Sequence, residues 1–262
     1  MRFCSLGSGS RGNATLIEAR DGTRVTRVLV DCGFSLRELG RRAARRGVEL
    51  AAIDAVFVTH EHGDHVGCAL ALARRHGTPL WMSAGTRDAL ATALGDADVP
   101  ASLRVARHGD AIAVGALELR PFAVPHDARE PLQLTVGDGA RRLALLTDLG
   151  SFDDGIEAQV AGCDAFLLEC NHDRGLLADG PYPAFLKRRI GGDRGHLAND
   201  QAAALLRRCA HGALRHVVAA HLSVQNNRPE LAAQALADAL GADAADVTVA
   251  YADDGCDWLD LA

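Results

Sequence analysis

Residues 56–67 read VFVTHEHGDHVG, and this turn carries a high density of metal-binding side chains. An apolar, β-branched run is followed at once by His60, His62, Asp64 and His65. Imidazole and carboxylate groups are ligands for zinc and related divalent ions. Because four residues so close in sequence cannot surround a metal alone, we expect further ligands from elsewhere in the chain.

Further candidate ligands stand where other predicted strands end. Strand-loop junctions hold side chains rigidly, and His126, Asp148 and His221 occupy such junctions. With the turn, they divide into two sets of three ligands and one bridging carboxylate: His60, His62 and His126; Asp64, His65 and His221; and Asp148. These donors include no thiolate, so we predict two divalent ions, zinc or manganese, with iron also tolerated. Each ion would keep room for water, as a catalytic site requires.

Alternating strands and helices must bring these junctions together. Runs rich in β-branched and apolar residues predict strands at 2–7, 14–19, 27–32, 55–60, 117–124, 132–137, 142–148, 165–170, 216–221 and 247–251. Stretches rich in Ala, Leu and Arg predict helices at 35–47, 66–77, 85–95, 181–190, 199–210 and 229–241. No low-complexity linker divides the chain, so we expect one α/β domain over residues 1–262, with helices covering the outer faces of the sheets.

The histidine-rich turn resembles that of the metallo-β-lactamase-fold hydrolases. THEHGDH at 59–65 is preceded by Asp31 in LVDCG and followed by His126, Asp148 and His221, and the similarity covers essentially the whole chain. The resemblance implies a four-layer αβ/βα sandwich with the metals in a cleft at one edge of two sheets. It also implies that Asp31 supports the ligand loop through hydrogen bonds and does not itself bind metal.

Two residues narrow the class of reaction. An aspartate at position 148 departs from the lactamases, which have a cysteine there, and resembles phosphodiester hydrolases and glyoxalase-type thioesterases. His196, in GGDRGHLANDQ, resembles a motif of the phosphodiesterase branch in which a histidine contacts the scissile phosphate and protonates the leaving oxygen. Such a donor is needed because an alkoxide is a poor leaving group. We therefore predict His196 and Asp64 as catalytic residues.

Several further segments resemble the WalJ/YycJ-type subgroup, bacterial exonucleases of this fold that are associated with DNA. They occur in the same order along the chain: SLGSGSRGNATLIE, DCGFSLRELGRR, LECNHD, LLADGPYPAFLKRRI, GHLANDQAA and AHLSVQNNRPELA. About 70 residues separate Asp148 from His221, too few for the large inserted domain of the β-CASP nucleases. This resemblance implies hydrolysis of DNA from the 5′ end.

Substrate contacts are predicted in two turns. GSGSRGN at 7–13 offers the hydroxyls of Ser8 and Ser10, the amide of Asn13 and backbone N–H groups that can hold a phosphate. Asn226, shortly after the last predicted ligand, is a further candidate.

The overall composition limits the class of protein and the partners that we expect. The chain is 48% hydrophobic and 24% charged with a formal net charge of -6, which argues against a wholly basic nucleic-acid binder. A local basic patch remains at Lys187, Arg188 and Arg189. Seven scattered cysteines without a CxxC pair, no signal-peptide stretch and no apolar run of membrane length predict a cytoplasmic protein with reduced thiols and no membrane partner. The oligomeric state stays open.

The leading prediction is a dinuclear phosphodiester hydrolase whose partner is nucleic acid, DNA in particular, and three alternatives stay open. A small-molecule phosphodiesterase acting on a cyclic phosphate would use the same site without a polymer groove, and the acidic charge favours it mildly. A thioester or lactone hydrolase would not need His196. A non-catalytic, metal-stabilised binding protein is disfavoured, because a scaffold has no use for two metal sites open to water.

Overall fold

The computed structural model describes residues 1–95 and 100–261, and in them it shows two seven-stranded β-sheets. The first sheet contains β1 (Arg2–Gly7), β2 (Ala14–Asp21), β3 (Arg24–Val30), β4 (Ala55–Phe57), β5 (Leu80–Met82), β6 (Leu103–Val105) and the C-terminal β14 (Leu259–Asp260). The second contains β7 (Ile112–Val114), β8 (Leu117–Ala123), β9 (Leu132–Gly137), β10 (Arg142–Leu146), β11 (Ala165–Glu169), β12 (His216–Ala220) and β13 (Thr248–Val249).

Helices connect these strands and cover both sheets. Within the described ranges they are α1 (Leu36–Arg45), α2 (Gly63–Val66), α3 (Ala69–His76), α4 (Ala84–Leu94), α5 (Asp154–Val160), α6 (Arg174–Asp179), α7 (Ala184–Ile190), α8 (Asn199–Cys209) and α9 (Pro229–Leu240). No helix in the described part of the chain is long and apolar enough to cross a membrane.

Both sheets are mixed, and the ends of their parallel strands determine where the site lies. The strand orders are β14-β1-β2-β3-β4-β5-β6 and β13-β12-β11-β10-β9-β8-β7. Strands β3 to β6 pair in parallel in the first sheet, and β10 to β13 do so in the second. The carboxyl ends of parallel strands meet at one edge of a sheet, which is where α/β proteins bind their ligands.

Three hydrophobic clusters separate four layers. One lies between the two sheets and includes Phe3 and Leu134, both fully buried. A second packs the outer face of the second sheet against α5, α8 and α9 and includes the fully buried Leu205. The third packs the outer face of the first sheet against α1 and α3, through side chains such as Leu39 and Leu72. The predicted four-layer αβ/βα sandwich is therefore confirmed.

The predicted elements differ from the structure mainly at their ends. The run predicted at 55–60 pairs only over Ala55–Phe57, and the run at 27–32 leaves the sheet after Val30, because the residues that follow form the turns of the site. The prediction missed β5, β6, β7 and β14, which are two or three residues long, and the helices α2, α5 and α6. Such short strands are too brief to show a two-residue period.

Candidate metal centre

The histidine turn is held by close backbone contacts with two segments, one that precedes β2 and one that follows β3. The backbone N–H of Asn13 donates to the carbonyl of Asp64 (2.8 Å), and that of Cys32 donates to the carbonyl of His65 (2.7 Å). A Cβ on Gly33 would clash with the Asp64 carbonyl oxygen. The glycine after Cys32 therefore lets two loops approach closely enough to fix the ligand turn.

The first predicted ligand set is assembled in the structure. The Nε2 atom of His60 lies 2.9 Å from Nδ1 of His62, and Nε2 of His126 lies 3.3 Å from that same Nδ1 atom. The Nδ1–H of His126 donates to the carbonyl of Gly195 (3.0 Å), which turns Nε2 toward the other two rings. Three imidazole nitrogens thus converge on one point, an arrangement that suits a divalent ion.

The second predicted set is assembled beside the first. The Oδ2 atom of Asp64 lies 3.7 Å from Nε2 of His65 and 3.5 Å from Nε2 of His221. Asp148 stands between the sets, because its Oδ2 lies 2.8 Å from His65 Nε2 and its Oδ1 lies 3.9 Å from His126 Nε2. The structure brings all seven predicted ligands together, in clusters consistent with a dinuclear centre.

Orphaned polar atoms show that these residues fit a metal. Among the described residues, Nε2 of His221 is buried without a hydrogen-bond partner, and Oδ2 of Asp148 has no partner other than Nε2 of His65, 2.8 Å away. The Nδ1–H of His65 donates to Asp31 (2.8 Å). Burial lowers the pKa of His65, but the carboxylates of Asp148 and Asp31 raise it well above the ordinary histidine value, so metal binding at its Nε2 would displace a proton. Buried polar atoms without good partners are costly, and a cation bound by the carboxylate and the deprotonated imidazole would satisfy them.

Protonation states in the centre also suit metal binding. Burial lowers the pKa of both His60 and His126, which keeps these imidazoles neutral, as ligands must be. Burial alone would raise the pKa of Asp148, but His221 and His65 hold it well below its ordinary value. Likewise, burial lowers the pKa of His221, but neighbouring carboxylates, Asp148 first, raise it to about 9, so metal binding would displace a proton there.

Asp31 lies behind the turn, where the resemblance implied it would be. Its carboxylate accepts the backbone N–H (2.9 Å) and the hydroxyl (3.1 Å) of Thr59, and the Nδ1–H of His65 (2.8 Å). Among the described non-glycine residues, positive φ values are found at Asp31 (63°) and His221 (54°). Strain of this kind costs about 1–3 kcal/mol per residue, and it lies at two strand ends that serve the site.

His196 contacts the metal-ligand cluster from the second sheet. Its Nδ1–H donates to Oε1 of Glu169 at 2.7 Å and lies 3.2 Å from Oδ1 of Asp148. Burial by itself lowers the pKa of His196, but the carboxylates of Glu169 and Asp148 raise it well above the ordinary histidine value. Glu169 therefore favours the protonated ring and leaves Nε2 for a substrate.

Glu169 is the residue of this site that the sequence did not reveal. Its side chain is fully buried, and its Oε2 accepts the backbone N–H groups of Leu149 (2.9 Å) and Leu197 (3.2 Å). With His196 it belongs to a third cluster of possible ligands, which also contains Asp148 and His221. Because N–H donors already occupy its oxygens, we assign Glu169 a positioning role. The sequence feature that could have pointed to Glu169 is a carboxylate at the end of the apolar strand AFLLE.

The predicted substrate-contacting residues fall into two groups. Ser10 lines the cavity in front of the ligands. Ser8 is buried and accepts the backbone N–H of His221 (2.8 Å), and the Asn13 amide lies 3.1 Å from Nε2 of His65. Asn226 is fully buried beside Ser223. Substrate contact stays a prediction for Ser10, whereas we propose that the buried Ser8, Asn13 and Asn226 support the loops instead.

The ligands open into a cavity of about 220 Å³ at the edge of the sandwich. Its lining includes His62, Asp64, Asp148, His196 and His221. The segment around α7 also contributes to the lining, through four residues: Tyr182, Leu186, Arg189 and Ile190.

Comparison with known proteins identifies the class. Residues 26–222 match the family model described as a beta-lactamase superfamily domain. The chain belongs to this superfamily and is a metal-dependent hydrolase of the metallo-β-lactamase fold.

Particular relatives agree with the resemblance seen in the sequence. The chain is 33% identical over 241 residues to exodeoxyribonuclease YycJ of Bacillus anthracis, covering 92% of this chain and 89% of the relative. It is 32% identical over 233 residues to exodeoxyribonuclease WalJ of Streptococcus pneumoniae, covering 88% and 85%. Its fold matches the metallo-β-lactamase-fold protein YhfI of Bacillus subtilis with a TM-score of 0.74, at 15% identity over 99% of both chains. The predicted family and subgroup likeness are thus confirmed.

Proposed function

We propose that this protein hydrolyses phosphodiester bonds in DNA and removes nucleotides from the 5′ end. The observation that carries the proposal is the hydrogen bond between Glu169 and His196, 2.7 Å long, beside two metal-ligand sets. A thioester releases a thiolate, a good leaving group that needs no such acid, whereas a nucleotide alkoxide does need one. The similarity to two proteins named exodeoxyribonucleases supports DNA as the substrate.

We propose zinc or manganese as the metals, and iron is compatible with the same donors. One ion would be held by His60, His62 and His126. The other ion would be held by Asp64, His65 and His221, and Asp148 would contribute to both. Bound there, divalent ions supply Lewis acidity, which lowers the pKa of the attacking water and stabilises charge on the phosphoryl oxygens.

His196 has the role of general acid in this proposal. Glu169 fixes the proton on Nδ1 and orients the ring, so that Nε2–H points into the cavity and donates to the leaving 3′ oxygen. Glu169 itself is held by the backbone N–H groups of Leu149 and Leu197. These buried backbone groups therefore fix the orientation of Glu169 and, through it, the orientation of the His196 ring. Ser10, on the cavity surface, is available to hold a phosphoryl oxygen.

An assay on end-labelled nucleic acids tests this function. The metal-reconstituted protein is incubated with single- and double-stranded DNA and RNA carrying either a 5′ or a 3′ label. The Asp64→Ala, His65→Ala double variant serves as the metal-deficient control. We expect early release of the 5′-labelled nucleotide from DNA, and none from the double variant.

Other outcomes would contradict specific parts of the proposal. Early release of the 3′ label would reverse the polarity, and equal cleavage of RNA would remove the preference for DNA. Turnover of cyclic nucleotides or bis(p-nitrophenyl) phosphate without any cleavage of oligonucleotides would replace the nuclease with a small-molecule phosphodiesterase.

A further inference from the structure

Part of the wall of the metal cavity is built from α7 and the residues around it. Tyr182, Leu186 and Arg189 line this wall. The wall is tied to the proposed acid, because the backbone N–H of His196 donates to the carbonyl of Ile190 at 2.8 Å. A Cβ on Gly195 would clash with the carbonyls at the end of α7. The helix therefore has a fixed position relative to His196.

The exposed face of α7 combines an aromatic ring with cations. Phe185 is 67% exposed, an unusual state for a phenylalanine. Arg188 and Arg189 follow it by three and four residues, so all three side chains share one face of the helix. Arg188 is exposed, and Arg189, also exposed, donates to Asp127 through Nε (2.6 Å), which leaves its terminal nitrogens free to meet an anion.

Charge is concentrated on this side of the cleft. Segment 181–195 contains four cations (Lys187, Arg188, Arg189 and Arg194) and one acid (Asp193), a net of +3 in a chain whose net charge is -6. Alternating aromatic and basic side chains beside a groove are the arrangement by which proteins bind single-stranded nucleic acid.

The other flank of the cleft provides a contrast. Tyr251 is 53% exposed there, and its pocket shares Ser223 with the metal cavity. The neighbouring acids are Asp253 and Asp254, and each pairs with an arginine of another element. This flank carries an exposed aromatic ring without a surplus of positive charge, so it lacks the attraction for phosphate that α7 has.

The size of the cavity limits what enters it. Its volume of about 220 Å³ is below the roughly 300–1,000 Å³ of pockets that enclose drug-sized ligands. This volume is close to that of one phosphodiester with its sugar and is too small to enclose a base pair, which favours a strand that is unpaired next to the scissile bond.

We propose that α7 binds the unpaired end of the DNA strand being cut, with a base stacked on Phe185 and backbone phosphates on Arg188 and Arg189. This inference rests on the proposed nuclease function. It makes opening of the terminal base pairs a step in the degradation of duplex DNA, so a frayed 5′ end is a better substrate than a matched one.

The test compares variants on polymeric and small substrates. The substrates are a 5′-phosphorylated oligonucleotide, its matched duplex, the same duplex with three mismatched terminal pairs, and bis(p-nitrophenyl) phosphate. Phe185→Ala should lower the ratio of kcat/KM on the oligonucleotide to kcat/KM on the small diester about tenfold. Tyr251→Ala, the matched exposed aromatic, should leave this ratio unchanged.

A charge variant gives an independent measurement. Arg188→Ala should reduce the slope of log kcat/KM against log salt on the oligonucleotide by about 0.7, the value for one phosphate contact on a single strand. Arg75→Ala, an exposed arginine on α3 that does not line the cavity, is the control. Wild-type protein should degrade the mismatched duplex faster than the matched one.

The contrary outcomes are distinct. If Phe185→Ala and Arg188→Ala behave like their controls while wild type cleaves oligonucleotides, α7 is not the binding surface but the proposed function stands. A tenfold loss with Tyr251→Ala instead places the strand on the other flank and overturns the inference. Absence of any oligonucleotide cleavage by wild type removes the proposed function, and the inference with it.

Discussion

The two sheets contribute to the centre in different ways. The first sheet supplies four ligands from one turn after β4, within six residues of sequence. The second sheet supplies one residue at or after each of four strands: His126, Asp148, Glu169 and His221. The first contribution is a local motif, whereas the second exists only because the carboxyl ends of those strands lie at one edge.

The supporting residues differ in the same way. On the first side, Asp31 and Asn13 contact the ligand His65, so their effect is on metal binding. On the second side, Glu169 contacts His196 at 2.7 Å and lies 3.3 Å from Nδ1 of the ligand His221, and we expect the shorter contact, with the proposed acid, to dominate its effect. The comparison divides the supporting residues into a metal-binding side, with Asp31 and Asn13, and a proton-donating side, with Glu169, although both sheets supply metal ligands and share Asp148.

Replacing the joining residue should have the largest effect. Asp148→Asn keeps the size of the side chain but removes the charge shared by both ligand sets, so we expect activity to fall about 10³-fold or more. Elemental analysis of the purified protein should find fewer than two ions per chain. Asp164→Asn is the matched control, because Asp164 is a buried carboxylate that pairs with Arg141 away from the centre. Two ions per chain with nearly normal activity in Asp148→Asn would contradict the bridging role.

A change on the metal-binding side should lower affinity for metal without removing the acid. In Asp31→Asn the amide no longer fixes the Nδ1–H of His65, so the dissociation constant for metal should rise about 10- to 100-fold. Competition with a chelator measures this constant, and kcat at saturating metal should stay close to wild type. Asp54→Asn is the control, since Asp54 accepts the backbone N–H of Arg27 outside the centre. An unchanged metal affinity would show that Asp31 does not orient its ligand.

A change on the proton-donating side should have a smaller effect and alter the pH dependence. Glu169→Gln removes the charge that raises the pKa of His196, so we expect about a 10-fold loss of kcat with both ions retained. The protonated acid is lost as pH rises through its pKa, so a lower pKa moves the alkaline limb of the kcat profile to lower pH. An alkaline limb that does not move would separate Glu169 from the titration of the acid.

The sequence predicts one side of the centre better than the other. HxHxDH is dense enough to reveal four ligands without knowledge of the fold, and strand ends then pointed to His126, Asp148 and His221. Glu169 escaped because a single glutamate at the end of AFLLE looks like any strand terminus; only parallel pairing of β10, β11 and β12 places it beside Asp148 and His221.

The substrate residues show a related limit. Ser8 and Asn13 offered suitable groups for a phosphate, but burial decides whether a polar group faces substrate or neighbouring backbone. Their hydrogen bonds to the loops of His221 and Asp64 depend on contacts between chain segments more than 50 residues apart, which local sequence does not encode. The predicted ends of the strands were wrong for the same reason, because contacts made by the residues beyond a strand determine where it ends.

The most direct test of this division is the dependence of the His196→Ala variant on the leaving group. Metal content and kcat are measured for wild type and variant on phosphodiesters whose leaving groups range from p-nitrophenolate to a nucleoside 3′ alkoxide. We predict two ions per chain in both proteins, little loss with p-nitrophenolate, and a loss of about 10²-fold or more with the alkoxide. An equal loss on every leaving group, or loss of metal from the variant, would contradict the account, because His196 would then act through the metal centre and not as the proton donor.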